Sequence, residues 1–223
     1  MKILAIDIGG TNVKVKCSDS DETRRFPSGK ELSAQQMVDG VQELTKNWSY
    51  DVLSVGFPGP IVKGQISHEP VNLGKGWVGF DFTAAFGKPT RLINDAAMQA
   101  LGSYEGGRML FLGLGTGLGN ALIIDSVIAP MELGHLPYKK KKTFEDYVGI
   151  RGLERLGKKK WQRAVYDVVS RLKAALIADY VVLGGGNAKK LTTLPEGCRL
   201  GNNENAFIGG FRLWKEQETG GRE

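Results

Sequence analysis

Short apolar runs and alternating polar and apolar residues open the chain, and they predict β-strands. Residues 2–8 and 13–17 are rich in β-branched and other apolar side chains, and they flank the turn Gly9-Gly10-Thr11-Asn12. Two such runs around a glycine turn are typical of a β-hairpin. Residues 23–26 predict a third strand beside this hairpin.

A helix and further strands follow in the first half of the chain. Ser33 and Gln36 have the spacing of a capping box, and apolar residues recur behind them at helical intervals. Residues 33–47 are therefore predicted to form a helix. The remaining elements of this half are a buried strand at 52–57 that stops at Pro58-Gly59-Pro60, a strand at 90–94 and a helix at 95–104.

The second half begins with the same pattern as the first. An apolar strand leads to a glycine-rich turn at 113–119 and a return strand at 120–124. A shift of 106 residues aligns Ile6-Asp7-Ile8-Gly9 with Leu112-Gly113-Leu114-Gly115. This spacing is far longer than that of a solenoid, so the repeat indicates two similar α/β halves.

The two halves are predicted at residues 1–105 and 106–223. The second half contains three further elements. They are a long helix with an apolar face from Trp161 to Leu176, a strand at 179–183 that ends in Gly184-Gly185-Gly186, and a short helix at 205–214. The last of these helices is expected to pack back toward the first half.

The composition excludes several classes of protein. Hydrophobic residues make up 41% of the 223 residues and charged residues 24%, which excludes a disordered chain. No apolar stretch approaches the ~18 residues of a membrane helix, and Asp7 interrupts the N-terminal apolar run where a signal peptide has its centre. Cys17 and Cys198 are too far apart for a Cys-rich zinc site. We therefore expect a cytoplasmic protein without a membrane partner.

The positive charge is concentrated in one segment. The chain has a net charge of +6, and residues 139–163 alone hold ten Lys or Arg and three Asp or Glu, for +7. Such a segment attracts a polyanion, although a solvated helical face is the alternative. The run Lys139–Lys142 cannot face one pocket with all its side chains. Trp161 fits the apolar helix face, so a polyphosphate is favoured over nucleic acid.

The two glycine turns have the composition of phosphate-binding loops. Glycine lets backbone N–H groups approach an anion closely, and Thr11 and Thr116 add hydroxyl donors. One such turn alone is often only a hairpin, but two in register indicate that adjacent phosphates are held. Neither turn contains the GxxxxGK(S/T) sequence of the P-loop, and neither is a dinucleotide-binding turn, because a strand follows each of them.

Carboxylates stand beside both kinds of predicted site. Asp7 ends the first strand next to its turn, where a phosphate would be repelled unless Mg²⁺ intervened; the alternative is an Asx turn. Asp95 follows Asn94 at a strand-to-helix junction, where it is either a general base or a helix N-cap. Glu132, His135 and Glu145 offer partners for vicinal sugar hydroxyls. Conventional zinc ligand spacing is absent around them, and a surface Glu with a satisfied His is the alternative.

These motifs in this order resemble the ROK (repressor, open reading frame, kinase) family of actin-like sugar kinases. The resemblance extends from residue 3 to about residue 214. The matching segments are Asp7–Asn12 and Gly115–Gly119 as phosphate motifs, Asn94-Asp95-Ala96 as the catalytic motif, Glu132–His135 as the sugar motif, Pro58-Gly59-Pro60, and Asn72-Leu73 with Trp77. The resemblance implies an α/β fold of two actin-like (ribonuclease H-like) halves with an interdomain cleft.

Within that family, three segments are similar to those of the polyphosphate glucokinases. They are Thr143–Tyr147, Leu183–Asn187 and Gly209–Trp214. The similarity implies transfer of a terminal phosphoryl group from inorganic polyphosphate, or from ATP as a further donor, to the 6-hydroxyl of glucose. A homodimer is the expected assembly.

The resemblance also assigns roles to residues by matched position. Asp95 is implied as the base, whereas the Mg²⁺ role of Asp7 is expected from its place beside the first turn. The sugar ligands implied are Asn94, Glu132, His135 and Glu145. The phosphate ligands implied are Gly9, Gly10, Thr11, Asn12, Gly115, Thr116, Gly117, Gly184, Gly185 and Gly186. The polyphosphate patch is expected at Lys139, Lys140, Lys141 and Lys142.

Two departures from the family narrow the expectation. Lys139–Lys142 replace the Cys-rich zinc loop of many members, so no structural zinc is expected. The phosphate motif begins almost at residue 1, which leaves no room for the DNA-binding domain of the repressors, and no nucleic-acid partner is expected. The alternatives are an ATP-dependent hexokinase of the same family, a sugar- or phosphate-binding sensor without catalysis, and a nucleic-acid binder.

Overall fold

The chain folds into two units, each built on its own β-sheet. The computed structural model describes residues 1–202 and 204–215. The first unit comprises Met1–Met98 and the C-terminal segment from Ala206, and the second comprises Gln99–Asn205. This division places the boundary at 98/99, whereas the sequence predicts it at 105/106, and the C-terminal helix belongs with the first sheet.

The first unit contains a five-stranded sheet with helices. Its strands run in the order β3-β2-β1-β4-β7, with β1 antiparallel to β2 and parallel to β4. All six residues of β1 and of β4 are buried, as expected for central strands covered on both faces. The elements are β1 Ile3–Ile8, β2 Asn12–Cys17, β3 Thr23–Pro27, α1 Ala34–Thr45, β4 Val52–Phe57, β5 Ile61–Val62, β6 Gln65–Ile66, α2 Phe82–Phe86, β7 Thr90–Asn94 and, continuing into the second unit, α3 Asp95–Ser103.

The second unit has a sheet of the same topology. Its order is β10-β9-β8-β11-β12, with β8 antiparallel to β9 and parallel to β11. The predicted repeat is thus confirmed at the level of strand order. The elements are β8 Arg108–Leu114, β9 Leu118–Ile124, β10 Val127–Pro130, a 3₁₀ turn at Leu133–His135, α4 Phe144–Val148, α5 Ile150–Ala175, β11 Tyr180–Gly184, β12 Cys198–Leu200 and, continuing into the first unit, α6 Asn205–Lys215.

One sequence-based boundary in the second half is corrected. The glycine-rich turn was predicted at 113–119 with the return strand at 120–124, but only residues 115–117 lie outside the strands. Gly113 pairs with Gly119 and Leu114 with Leu118, so that the ladder extends into the glycine-rich segment. Helix α5 begins at Ile150, and it contains a break at Gly157, whose φ of 72° is outside the helical region.

Each sheet packs against helices to form a separate hydrophobic core. Met37, Val38 and Val41 of α1 are buried in the first core together with Trp77. Trp161 of α5 is fully buried in the second core, and its indole N–H donates to the carbonyl of Val148. This contact confirms that Trp161 lies on the apolar helix face. None of the helices within residues 1–202 and 204–215 has the length and hydrophobicity needed to cross a bilayer.

Helix α6 packs against the first sheet, as expected from the sequence. Ser54 of β4 donates its hydroxyl to the carbonyl of Gly210, 2.6 Å away, and accepts a hydrogen bond from the indole of Trp214. A Cβ atom at Gly210 would lie 2.8 Å from that of Ala5. Glycine therefore allows this helix to approach β1 closely.

The capping box of α1 provides a stability test of the fold. The Ser33 hydroxyl accepts from the Gln36 N–H at 3.3 Å, and the Gln36 side chain accepts from the Ser33 N–H at 2.9 Å. We expect Ser33→Ala to lower the free energy of unfolding by about 1 kcal/mol, because the cap is lost. Urea unfolding measures the change. The control is Ser170→Ala on the exposed face of α5, and an equal loss in both variants would contradict the capping role.

Candidate active site

The first glycine turn connects β1 and β2 and is closed by two backbone hydrogen bonds. The Gly9 N–H donates to the carbonyl of Asn12 at 3.0 Å, and the Ser28 N–H donates to the carbonyl of Thr11 at 3.0 Å. Gly10 and Thr11 are exposed, so the outer peptide groups of the turn are accessible to a ligand. A Cβ atom at Gly10 would be only 3.6 Å from the Asn72 Cβ, which shows that the turn lies beside the loop containing Asn72.

Glu69 fixes the loop that follows Asn72, and sequence reasoning missed this role. Its carboxylate accepts hydrogen bonds from the backbone N–H groups of Gly76, Trp77 and Val78 at 3.2–3.4 Å. The indole of Trp77 donates to the carbonyl of Leu32 and is fully buried. No motif in the sequence signals this clamp, because its donors are main-chain groups.

Asp7 is buried at the end of β1 and faces a lysine on the neighbouring strand. The residue is 9% exposed, and one carboxylate oxygen lies 3.4 Å from Lys14 Nζ. Burial raises the pKa of Asp7, and Lys14 opposes this increase only in part. The antiparallel register pairs the two residues directly. Lys14, rather than the Asx turn considered from the sequence, is therefore the partner of this carboxylate.

The surroundings of Asp7 determine which kind of metal site this unit can offer. Within the described part of the chain, no group of three or more His, Cys, Asp or Glu residues is arranged to hold a metal ion. Mg²⁺ keeps several waters and commonly binds through one or two carboxylates together with substrate phosphates. A single buried carboxylate beside an exposed glycine turn fits such a shared Mg²⁺ site, so Asp7 stays the predicted ligand.

The junction between β7 and α3 places Asn94 and Asp95 side by side. The Asn94 side chain accepts from the Ala97 N–H at 3.1 Å and donates to the carbonyl of Gly59 at 3.1 Å. Asn94 is thus the N-cap of α3, which corrects the alternative that Asp95 is the cap. Asp95 is the first helical residue, half-buried, with one oxygen 2.7 Å from the Ala96 N–H. Negative charge at this end of a helix is electrostatically favourable.

The second glycine turn is held from inside the second unit. The Ile150 N–H at the start of α5 donates to the carbonyls of Gly115 and Thr116 at 3.0 and 3.2 Å. The buried side chain of Asn187 also donates to the carbonyl of Gly115, at 3.0 Å. Thr116 itself is exposed. The carbonyls are therefore occupied by protein donors, while the outer side of the turn is accessible.

The glycine triplet after β11 lies next to this second turn. Gly185 has a φ of 79°, and a Cβ atom there would lie 2.6 Å from the backbone of Leu114. The Asn187 N–H donates to the carbonyl of Leu114 at 2.9 Å. Within the second unit, the structure thus brings Gly184–Gly186 and Gly115–Gly117 together. Sequence reasoning assigned no role to Asn187, whose contribution is visible only in the folded chain.

The predicted sugar motif is anchored to β9 beside the second turn. The Asn120 side chain accepts from the Leu133 N–H at 3.2 Å and donates to the carbonyl of Leu118 at 2.9 Å. A Cβ atom at Gly134 would lie 3.1 Å from the Leu118 carbonyl oxygen. Asn120 is 2% exposed, and it is a third positioning residue that sequence reasoning missed, after Glu69 and Asn187.

Three polar side chains of the sugar motif and α4 are presented around this anchor. Glu132 and His135 are exposed, with His135 Nδ1 4.0 Å from Glu132 Oε2. Glu145 lies beside the turn, because a Cβ atom at Gly117 would be 2.5 Å from Glu145 Oε2. Its other oxygen is 3.1 Å from the guanidinium of Arg151. Side chains that can accept hydrogen bonds from hydroxyl groups therefore lie in the same unit as a glycine turn with the composition of a phosphate-binding loop.

The lysine run forms the tip of a tight hairpin before α4. Pro137 pairs with Thr143, and the Tyr138 N–H donates to the carbonyl of Lys142 at 2.8 Å. Lys139 binds Asp167 at 3.0 Å, and Lys139 and Lys140–Lys142 are all exposed. The polyphosphate role of this run stays a prediction.

The predicted site residues fall into two sets, one in each unit. The first unit holds Asp7, Gly9, Gly10, Thr11, Asn12, Asn94 and Asp95. The second unit holds Gly115, Thr116, Gly117, Glu132, His135, Glu145, Lys139–Lys142 and Gly184–Gly186.

Comparisons with known proteins identify a family and its relatives. A model of the ROK family matches residues 3–145. The polyphosphate glucokinases of Mycobacterium tuberculosis and Mycobacterium leprae are each 24% identical over 206 residues, covering 83% of this chain and 77% and 63% of theirs.

Solved structures show the same fold. The inorganic polyphosphate/ATP-glucomannokinase from Arthrobacter sp. strain KM has a TM-score of 0.83 and 25% identity, covering 97% of this chain and 99% of that chain. A ROK family glucokinase from Streptomyces griseus, in complex with glucose and AMPPNP, has a TM-score of 0.76 and 14% identity, covering 96% and 99%. The predicted actin-like α/β fold is confirmed.

The raised pKa of Asp7 leads to a pH-dependent prediction of stability. Ionised Asp7 is destabilised by burial in the folded chain, so Asp7→Asn should raise Tm at neutral pH. The gain in Tm should be largest at pH values above the pKa of Asp7 in the folded chain. It should disappear below about pH 4, where the carboxyl group is protonated in both states. Thermal unfolding from pH 3 to 8 measures this.

Asp146→Asn is the matched control for this experiment. Hydrogen bonding from the Thr143 backbone is the main cause that lowers the pKa of Asp146, so its ionised form stabilises the fold. This variant should lose stability at neutral pH. A decrease in the Tm of Asp7→Asn that grows with pH would show instead that the ion pair with Lys14 outweighs the cost of burial.

Proposed function

The chain belongs to the ROK family, and we propose that it is a sugar kinase. It transfers the terminal phosphoryl group of inorganic polyphosphate, with ATP as a further donor, to the 6-hydroxyl of glucose. The observation that carries this proposal is the position of Glu145 on α4, whose carboxylate lies beside Gly117 and so brings a proposed sugar ligand next to the second glycine turn. The names of the similar proteins, polyphosphate glucokinase and polyphosphate/ATP-glucomannokinase, support this choice of donor and sugar.

In this proposal the second unit holds the sugar through three side chains. The carboxylates of Glu132 and Glu145 accept hydrogen bonds from vicinal hydroxyls, and His135 donates or accepts at a neighbouring hydroxyl. Asn120 acts indirectly, because it fixes the backbone of the sugar motif at Leu133. Asn94 stays a predicted sugar ligand.

Asp95 is the proposed general base. In phosphoryl transfer to an alcohol, a carboxylate accepts the hydroxyl proton while other groups bind the donor. Asn94 caps α3 through its own side chain, so a role for Asp95 as the N-cap does not explain its presence. The position at the end of a parallel strand is one at which α/β proteins commonly bind ligands.

The two glycine turns are the proposed donor sites. Gly9–Asn12 and Gly115–Gly117 bind phosphate oxygens through backbone N–H groups and the hydroxyls of Thr11 and Thr116, and Gly184–Gly186 border the donor. Bound Mg²⁺, held by Asp7 and phosphate oxygens, would neutralise charge on the transferred group. Lys14 faces Asp7 and keeps part of the local charge balanced when the donor is absent.

A homodimer and a cytoplasmic location stay predictions. A sensor that binds sugar without catalysis is the alternative from another class of protein.

The base assignment is tested by Asp95→Asn. We expect phosphoryl transfer to fall by roughly 10²–10⁴-fold or more, because a positioned base contributes about this factor. Glucose binding measured by calorimetry and the Tm should change little. Asp39→Asn, on the exposed face of α1, is the control and should retain full activity. Unchanged turnover of Asp95→Asn would remove this residue from the mechanism.

The donor and the sugar are tested together on the purified protein. Turnover is measured for long-chain polyphosphate and ATP, each with glucose and mannose. We expect the highest kcat/KM for polyphosphate with glucose. Turnover with ATP but not with polyphosphate would identify an ATP-dependent hexokinase. Glucose binding without any product would identify a sensor.

A further inference from the structure

A row of four cations runs along one exposed side of the second unit. It consists of Arg151 and Arg155 at the start of α5, Lys139 at the hairpin, and Arg171 farther along α5. We call these four residues the cation row. We infer that the cation row is the surface along which a linear polyphosphate chain lies. This inference rests on the proposed function and names the donor-binding surface of the same site.

The row begins at the second glycine turn. Ile150, which donates its N–H to the carbonyls of that turn, directly precedes Arg151. The Arg151 guanidinium is 3.1 Å from Glu145 Oε1 and 3.2 Å from Asp146 Oδ1. The side chain of Arg151 is nevertheless 62% exposed. A donor bound at the turn would therefore meet Arg151 as the first cation beyond it.

Arg155 continues the row one helical turn farther along α5. Its guanidinium donates to the carbonyl of Asp146 at 2.8 Å and lies over the ring of Tyr147, 4.8 Å from the centroid. Tyr147 in turn meets Tyr138 edge to face at 4.9 Å. The aromatic pair thus connects α5 to the lysine hairpin and limits the motion of the cation that stacks on it.

Lys139 and Arg171 complete the row at Tyr138. Lys139 Nζ lies 4.5 Å from the centre of the Tyr138 ring, and the Arg171 guanidinium lies 5.9 Å from it. Both cations also bind Asp167, at 3.0 and 3.1 Å. The side chains are 53% and 58% exposed, so both remain accessible to a ligand.

The charges of the row suit a polymer of phosphates. Exposed ion pairs contribute only about 0–1 kcal/mol, so a polyanion can replace the carboxylates Asp146 and Asp167 as the partner of these cations. The exposed run Lys140–Lys142 adds charge at the far end. A nucleoside triphosphate has three phosphates to place, whereas a long polyphosphate has phosphates for every cation along the row. The row therefore favours the longer donor.

A charge-matched pair of variants tests the row. The row variant is Lys139→Gln/Arg155→Gln/Arg171→Gln, which leaves Arg151 beside Glu145 intact. The control is Lys158→Gln/Lys159→Gln/Lys160→Gln, which removes the same charge from exposed positions of the same unit beyond the break at Gly157. Binding of labelled long-chain polyphosphate is measured against salt concentration, together with KM for polyphosphate and for ATP.

We expect the row variant to weaken polyphosphate binding by tenfold or more and to flatten its salt dependence, because fewer counterions are released. Its KM for polyphosphate should rise more than its KM for ATP, and the effect should grow from tripolyphosphate to long chains. The control should change binding by less than threefold. A third variant, Lys139→Arg/Arg155→Lys/Arg171→Lys, keeps the three charges and should bind polyphosphate about as tightly as the wild type.

Equal losses in the row variant and the control, or no loss in the row variant, would overturn the inference. The binding measurement separates this failure from that of the proposed function. If the wild type transfers no phosphoryl group from polyphosphate, the proposed donor is wrong, and loss of binding confined to the row variant still supports the surface. If the wild type uses polyphosphate while the row variant and the control bind it equally well, the proposed donor is supported and the role of the cation row is contradicted.

Discussion

The candidate site of the second unit depends on how the carbonyls of its glycine turn are occupied. The start of α5 donates to these carbonyls through Ile150, and Asn187 donates through its side chain. A turn whose carbonyls are bound from inside keeps its shape without a ligand, so little ordering is needed when phosphate arrives. The same contact places Arg151 beside the turn. The short helix α4, which precedes α5, places Glu145 there as well. The proposed sugar ligands, the proposed phosphate ligands and the first cation of the row therefore depend on one set of contacts.

Asp7 shows a conflict between stability and chemistry in the first unit. A carboxylate that is 9% exposed, with a raised pKa, weakens the fold at neutral pH. Lys14 compensates for part of this cost across the β1–β2 ladder. Residues that lower stability in this way cluster at functional sites in enzymes. The position of Asp7, immediately before an exposed glycine turn, agrees with that interpretation.

Local signals in the sequence predicted most elements of the fold, whereas contacts between residues far apart in the chain could not be predicted from the sequence. The capping box at Ser33 and the glycine turn at Gly9–Asn12 were recognisable because their partners are a few residues apart. Asn120, Asn187 and Glu69 were missed, because each bonds main-chain groups whose position depends on the fold. The break at Gly157 was missed as well, since an isolated glycine in a helical pattern is usually tolerated. The second turn was predicted to be longer than it is, because Gly113 and Gly119 were assigned to the turn but pair with each other within the strands.

The division of the residues between two units of equal topology has an evolutionary consequence. The sugar motif, the second turn and the cation row all belong to Gln99–Asn205, whereas Asp95 belongs to the other unit. Substitutions that retune substrate preference can therefore accumulate in one lobe without disturbing the residue assigned to proton transfer. A duplicated ancestor in which the copies diverged separately would produce such a separation of tasks. Exchanging the second lobe between relatives is thus a natural route to hybrid enzymes with new donor and acceptor combinations.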